Sequence, residues 1–163
     1  MRLTTMTDYA MRLLMYVAQH PERLCTIAEV AQAYDISEAH LMKITHQLAR
    51  SGWLTTVRGK GGGMRLAAAP GDINLGAVVR SIEPDFFLVD CLGSGAVCKL
   101  NGRCRLTGIV SGALQSFMQY LDDYTLADLL PASGKGVAVR PVVLQKKPSA
   151  SQPRRFVRSD NNP

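Results

Sequence analysis

The chain has 163 residues, which suits one domain with an appendage, and 47% of them are apolar, enough for a buried core. No apolar run approaches the roughly 18 residues that span a bilayer, so no membrane segment is expected. The net charge of +6 is concentrated in residues 135–163, while residues 1–134 are neutral overall. Any DNA-binding surface must therefore depend on local clustering of basic side chains.

The apolar N-terminal stretch, residues 1–20, raises the question of a signal peptide. Asp8 and Arg12 interrupt it, and no cleavage-like segment follows. Its apolar residues recur at helical spacing, so the stretch predicts a first helix over residues 7–20 that ends at Pro21. We therefore expect a cytoplasmic protein without a secretion signal.

Two short helices come next. Thr26 followed by Glu29 three residues later has the form of a capping box, which predicts a helix over residues 26–34. Ser37 is a favourable N-cap for a third helix that extends to about residue 50. The tight turn between these helices is typical of a helix-turn-helix unit.

A hairpin is predicted immediately after the third helix. Extended runs at 53–57 and 64–67 flank a glycine-rich tip at 58–63. A turn at 70–72 leads to a fourth helix over 74–82. This order of parts is that of a winged helix-turn-helix.

A long helix is expected from near Cys104 to about Tyr124. Its apolar stripe is Leu106, Ile109, Val110, Ala113, Leu114, Phe117 and Leu121. So small a body cannot cover this stripe alone, so we expect a homodimer, with an intramolecular core helix as the alternative. Residues 135–163 are expected to be a disordered basic tail, either attracted to DNA or merely solubilising.

The predicted fold class is mainly α with a small β-hairpin wing (α+β). Residues 1–83 form the winged helix-turn-helix DNA-binding domain, residues 84–104 a cysteine loop, residues 105–130 a dimerisation helix, and residues 131–163 the tail. The expected partner is double-stranded DNA with a two-fold-symmetric operator.

Side chains from the first turns of the third helix are expected at base edges, and basic residues of the wing at phosphates or in the minor groove. The candidate DNA-binding residues are Ser37, Glu38, His40, Lys43, Arg58, Lys60 and Arg65. Thr45 is also expected to be exposed on this helix. Residues 37–65 carry a local charge of +4, although Arg58 and Lys60 taken alone could be ordinary solvated turn residues.

Three cysteines form a second constellation. Cys91, Cys98 and Cys104 have the spacing C-x6-C-x5-C, wider than the paired cysteines of a zinc finger. Such spacing suits a loop around an iron–sulfur cluster, whereas a zinc site completed by a histidine and a thiol redox switch stay open. Cys25 is expected to be a buried structural thiol.

An enzyme is not expected. The chain has no evident Ser/His/Asp or Cys/His arrangement and no phosphate-binding glycine fingerprint after a strand.

Residues 1–130 resemble the iron–sulfur winged-helix regulators of the Rrf2 family. The matching motifs are TDYA at 7–10, HLMKI at 40–44, VRGKGGG at 57–63, IEP at 82–84, the three cysteines, and LDDYTLADL at 121–129. The resemblance is strongest to the nitric-oxide-sensing branch. It implies a repressor that holds a cluster on Cys91, Cys98 and Cys104 and releases its operator when nitric oxide damages that cluster.

The resemblance also bears on the fourth ligand. The iron–sulfur-biogenesis branch uses a histidine three residues after the last cysteine, where this chain has Thr107. The nitric-oxide branch uses an aspartate near the N-terminus of the other subunit, and Asp8 matches it. This implies a [4Fe-4S] cluster, with [2Fe-2S] and an iron- or redox-sensing regulator as the alternatives. Without the resemblance, Asp8 could equally be a helix cap.

Overall fold

The computed structural model of the chain describes residues 3–89 and 104–131. Cys91, Cys98, most of the predicted cysteine loop and the predicted tail from 132 onward lie outside the described residues. The domain boundaries proposed for them therefore stay predictions.

The described part contains five α-helices and one two-stranded antiparallel sheet, which confirms the predicted fold class. In chain order they are α1 (Thr5–Ala18), α2 (Ile27–Tyr34), α3 (Glu38–Arg50), β1 (Leu54–Val57), β2 (Gly63–Leu66), α4 (Leu75–Ile82) and α5 (Leu106–Asp122), with short 3-10 turns at Pro70–Asp72 and Leu126–Leu129.

Local signals account for the ends of α2 and α3. The Thr26 hydroxyl accepts from the Glu29 backbone N–H at 3.3 Å, and the Glu29 carboxylate accepts from the Thr26 N–H at 2.7 Å. The hydrogen bond from the Thr26 N–H lowers the pKa of Glu29, and hydrogen bonds from the Arg23 guanidinium lower it further. Asp35 ends α2 in the left-handed region at φ 54°, and Ser37 caps α3. The predicted helix-turn-helix is confirmed.

The ends of α1 were predicted two residues too late. The helix begins at Thr5 and ends at Ala18, with Thr4 as N-cap. Thr4 makes no side-chain capping bond within its own turn. Instead its backbone N–H donates to a carboxylate 79 residues away, at Glu83, a partner that local sequence signals do not reveal.

We call residues 3–83, which contain α1 to α4 and the β1–β2 hairpin, the head, and the hairpin the wing. The wing is anchored to the rest of the head by Cys25. β1 and β2 pair from Leu54 opposite Leu66 to Val57 opposite Gly63. Cys25 and Met64 exchange two backbone hydrogen bonds, at 2.9 and 2.8 Å. A Cβ at Gly63 would lie 2.6 Å from the Cys25 carbonyl oxygen, so this contact requires glycine. Cys25 is fully buried, which raises the pKa of its thiol and confirms the structural interpretation.

The core lies between α1, α3 and α4. Its largest fully buried side chains include Leu13, Leu14, Leu41, Ile44, Leu48 and Val78. The prediction that Thr45 is exposed is wrong. Thr45 is 8% exposed, four residues after Leu41 on the buried face of α3, and its hydroxyl contacts the Met64 sulfur at 3.7 Å.

The apolar stripe of α5 is divided between two faces. Met118 is 8% exposed and is the one buried residue of the helix, with Leu114, Phe117 and Leu121 half-buried beside it. On the other flank, Ile109 is 69% exposed, and Leu106, Ala113 and Tyr120 are exposed too. One flank therefore packs against the chain's own head and the other is left open.

A fork joins α4 to α5. Arg80 donates two hydrogen bonds to the Asp122 carboxylate, both 2.6 Å long, and this arginine lowers the pKa of Asp122. Asn74 donates to the Asp122 carbonyl oxygen at 2.7 Å. A Cβ at Gly76 would overlap the carboxylate, so the close approach depends on glycine at this position. The end of α5 is thereby held against the first turn of α4.

Candidate DNA-binding face and sensor residues

The outer face of α3 lies opposite its buried face. Ala39, Lys43, His46 and Arg50 recur at spacings of three or four residues and are all exposed. Beside them Met42 is 55% exposed. The face thus offers three side chains able to donate hydrogen bonds and one large apolar side chain to a groove of DNA.

Three predicted DNA-binding residues lie in the first turn of α3 or just before it. Ser37, Glu38 and His40 are all exposed. The Ser37 hydroxyl accepts from the His40 backbone N–H at 3.4 Å and lies 2.8 Å from His40 Nδ1. Both side chains therefore support the helix end, and the Glu38 carboxylate is the freer of the three to meet a base edge.

The wing tip presents Arg58 and Lys60, both exposed. Gly59 and Gly61 have φ of 98° and 76°, in the left-handed region that favours glycine, so the tip bends tightly between the two cations. Arg65 is separate from this pair. It lies along β2 opposite Thr55 and lines a cavity beside the C-terminal end of α1.

The basic residues of this face are not ion-paired. Across residues 3–89 and 104–131, the three arginine–carboxylate pairs lie on α1, beside α2, and between α4 and α5. None involves a basic side chain of α3 or the wing; these are Lys43, Arg50, Arg58, Lys60 and Arg65. Their charge is therefore available for phosphates.

Cys104 is the one predicted cysteine ligand within the described residues. It precedes α5, where the backbone N–H groups of Leu106 and Thr107 lower the pKa of its thiol, and the Thr107 hydroxyl acts in the same direction. The thiolate, the form that binds iron, is thereby favoured. Cys91 and Cys98 lie outside the described residues, and within these residues no three His, Cys, Asp or Glu side chains come together as a metal site. The chemistry of Cys104, a thiol inclined to ionise, suits an iron ligand.

Asp8 is not a helix cap. It lies in the first turn of α1, after the N-cap Thr4, with its side chain 53% exposed and 3.0 Å from the Arg12 Nε. This surface ion pair is weak, so the carboxylate can exchange it for another partner. The hydrogen-bonded partner of the Asp8 carboxylate in the described residues is Arg12.

Comparison with known proteins decides the family. The model of the Rrf2 family, described as iron-dependent transcriptional regulators, matches residues 3–132. The chain belongs to the Rrf2 family. The HTH-type transcriptional regulators NsrR of Halalkalibacterium halodurans and Shouchella clausii are 45% and 43% identical to it, each over 80% of this chain and 90% or 89% of their own. A transcriptional regulator of Listeria innocua has the same fold, with a TM-score of 0.69, 22% identity, and coverage of 88% of this chain and 95% of its own.

This Rrf2-family chain is thus a DNA-binding transcriptional regulator, and the expectation that it is not an enzyme is confirmed by these relatives. No described helix is long and apolar enough to cross a bilayer. The resemblance drawn from its motifs is confirmed as well.

In this Rrf2-family protein the exposed face of α3 extends beyond the residues predicted to bind DNA. His46 and Arg50 share a face with Lys43, and with Gln47, Ser51 and Ser81 they line a polar groove of about 480 Å³. The sequence already indicates this shared exposed face, because residues 43, 46 and 50 lie opposite Leu41, Ile44 and Leu48 at helical spacing.

Proposed function

We propose that this chain is an iron–sulfur-dependent repressor that binds a two-fold-symmetric operator as a homodimer and releases it in response to nitric oxide. The observation that carries the proposal is the position of Cys104. Its thiolate is favoured at the start of the helix whose exposed apolar flank awaits a second subunit, in a chain that also carries an unpaired basic DNA-binding face. Relatives named NsrR support the same assignment.

Cys91, Cys98, Cys104 and the partner subunit's Asp8 would hold the cluster, which we infer to be [4Fe-4S]. When bound, it supplies iron that reacts with nitric oxide. Carboxylate binds such iron more weakly than thiolate does, so the aspartate is the ligand that gives way most readily. Thr107, where a histidine ligand would stand in the iron–sulfur-biogenesis branch, instead supports the Cys104 thiolate, which disfavours that alternative.

The chain's own residues account for the DNA-binding step. The open flank of α5, Leu106, Ile109, Ala113 and Tyr120, would pair with its copy in a dimer. The two α3 helices would then enter successive major grooves roughly 34 Å apart. Lys43, His46 and Arg50 would contact DNA from α3, while Arg58 and Lys60 would contact phosphates from the wing.

The test is an anaerobic nitric oxide titration of the purified full chain. Iron, acid-labile sulfide and zinc are measured first, and the visible spectrum and operator affinity are followed during the titration. We expect about four irons and four sulfides per chain for [4Fe-4S], and affinity that falls as the cluster absorbance is lost. Cys98→Ser serves as the cluster-free control. Zinc in place of iron, or operator binding that ignores nitric oxide in a cluster-loaded protein, would overturn the proposal.

A further inference from the structure

The C-terminal end of α4 is a junction for three other parts of the head. Gln47 on α3 donates to the carbonyl oxygens of Ser81 and Ile82, at 2.9 and 3.3 Å. The indole N–H of Trp53, at the start of the wing, donates to the Ser81 hydroxyl at 2.9 Å. The last turn of α4 is therefore bound to the recognition helix and to the base of the wing.

Glu83 adds the first turn of α1 to this junction. Its Oε1 accepts from the Thr4 backbone N–H at 2.8 Å, from the Thr4 hydroxyl at 3.1 Å, and from the Thr7 hydroxyl. Thr7 is buried and Glu83 half-buried. A partly buried carboxylate with several donors at a helix N-terminus fixes that helix end firmly. No other described acceptor takes these three hydrogens.

The same turn of α1 continues to the DNA-binding end of α3. Tyr9, two residues after Thr7, lies with its ring centroid 6.2 Å from that of His40. His40 Nδ1 in turn lies 2.8 Å from the hydroxyl of Ser37, the N-cap of α3. The ring contact and the cap therefore join the N-terminal part of α1 to the first turn of α3, which carries predicted DNA-binding residues.

On its C-terminal side, Glu83 is followed by the segment that leads to the predicted cluster cysteines. Residues 84–88 follow it and line a cavity of about 180 Å³ together with Leu3, Thr4 and, from α5, Leu114 and Phe117. Cys91 comes eight residues after Glu83. Asp8, the inferred aspartate ligand, directly follows Thr7.

We propose that Glu83 is the positioning residue that couples the cluster to the recognition helix. This rests on the proposed function, because it assumes a cluster whose loss changes operator affinity. The carboxylate holds the turn of α1 next to Asp8 at a fixed position relative to the segment that leads to Cys91. A displacement on either side of Glu83 therefore shifts Tyr9 against His40, at the end of α3 that contacts bases.

The test measures the ratio of operator affinities of the cluster-loaded and cluster-free protein under anaerobic conditions. Allosteric coupling commonly gives a ratio of about 5- to 150-fold, and we expect the wild-type chain to fall in this range. In Glu83→Ala the ratio should drop towards one while cluster-free DNA binding is retained. Glu83→Gln, which keeps an acceptor oxygen, should restore part of the ratio.

A second pair of variants protects the test against misfolding of Glu83→Ala. Thr7→Val removes one donor to Glu83, and Thr7→Ser keeps it, so the ratio should fall in the first and not in the second. Asp122→Asn is the matched control. It breaks a carboxylate–arginine fork between α4 and α5 and should lower the melting temperature without changing the ratio.

Three outcomes overturn the inference. If both Glu83→Ala and Thr7→Val keep the wild-type ratio, Glu83 does not couple the two halves. If they weaken DNA binding equally with and without the cluster, Glu83 is only a structural contact. If the wild-type ratio is itself one, the proposed function fails and the inference fails with it, and wild-type protein alone reveals this case.

Discussion

The DNA-binding head and helix α5 differ in how completely one chain buries them. In the head, Leu14, Leu41 and Leu48 are fully buried, and the wing is held by Cys25. In α5 only Met118 is buried, and Ile109 stands open on the opposite flank. The head is complete in one chain, whereas the open apolar flank of α5 is a surface that the proposed second subunit would cover.

The largest expected effect tests whether the open flank of α5 pairs with a second subunit. Ile109→Glu places a charge in the flank that we infer to pair with its copy, so the dimer should dissociate. Operator affinity should then fall by about 10²- to 10⁴-fold, because two linked heads bind far better than one. Sedimentation velocity and gel shifts measure the two changes.

Gln115→Glu is the matched control, since it adds the same charge on the exposed side of α5 away from Ile109. It should leave the dimer intact. A dimeric Ile109→Glu protein with normal DNA binding would show that this flank is not the interface.

The next largest effect concerns the buried core of the head. Leu41→Ala empties a fully buried position and should lower the free energy of unfolding by about 2–5 kcal/mol, as measured by urea denaturation. The neighbouring Met42→Ala removes an exposed side chain and should change stability by no more than about 0.5 kcal/mol, while it weakens operator binding. Equal destabilisation by both variants would contradict the assignment of the two faces of α3.

A smaller effect sharpens the account of the DNA face. Arg58→Ala and Lys60→Ala should each weaken binding across DNA sequences and reduce the salt dependence of log K by about one unit. Arg65→Ala should change the slope less, because Arg65 lies beside α1 rather than at the wing tip. Fluorescence anisotropy at several salt concentrations checks this, and an unchanged slope in all three would remove the wing from the interface.

The smallest effect concerns the fork between α4 and α5. Arg80 lowers the pKa of Asp122, so the folded state holds this carboxylate ionised below its ordinary pKa of 3.8. The stabilisation is present above that ordinary pKa and is lost as the pH falls through the lowered one. Asp122→Asn should therefore melt below wild type near neutral pH, and the gap should close in acid. A gap independent of pH would contradict the ionic role.

Local signals predicted the head well because each is complete within a few residues. Thr26 with Glu29 forms its capping box, and Ser37 caps α3. Thr45 was misplaced although its spacing from Leu41 and Leu48 already puts it on the buried face. The glycine-rich tip correctly indicated the hairpin, but only the fold reveals that Arg65 lies apart from Arg58 and Lys60.

Contacts distant in sequence were beyond prediction. The first turn of α1 depends on Glu83, 79 residues away, and nothing local to Thr4 indicates that partner. The stripe of α5 was recognised as one face, because periodicity identifies an apolar surface without saying what covers each flank. Met118 packs on the head, while Ile109 faces outward, and only the tertiary structure separates them.

The most direct test of the shared sensor is a mixed dimer. A Cys98→Ser chain and an Asp8→Ala chain with different tags are co-expressed, and the dimer that carries both tags is isolated without oxygen. Completion of each site by the other subunit predicts one cluster per mixed dimer, as resistant to oxygen as the wild-type cluster and more resistant than that of the Asp8→Ala homodimer. A cluster as labile as in that homodimer would contradict a sensor completed across the two subunits.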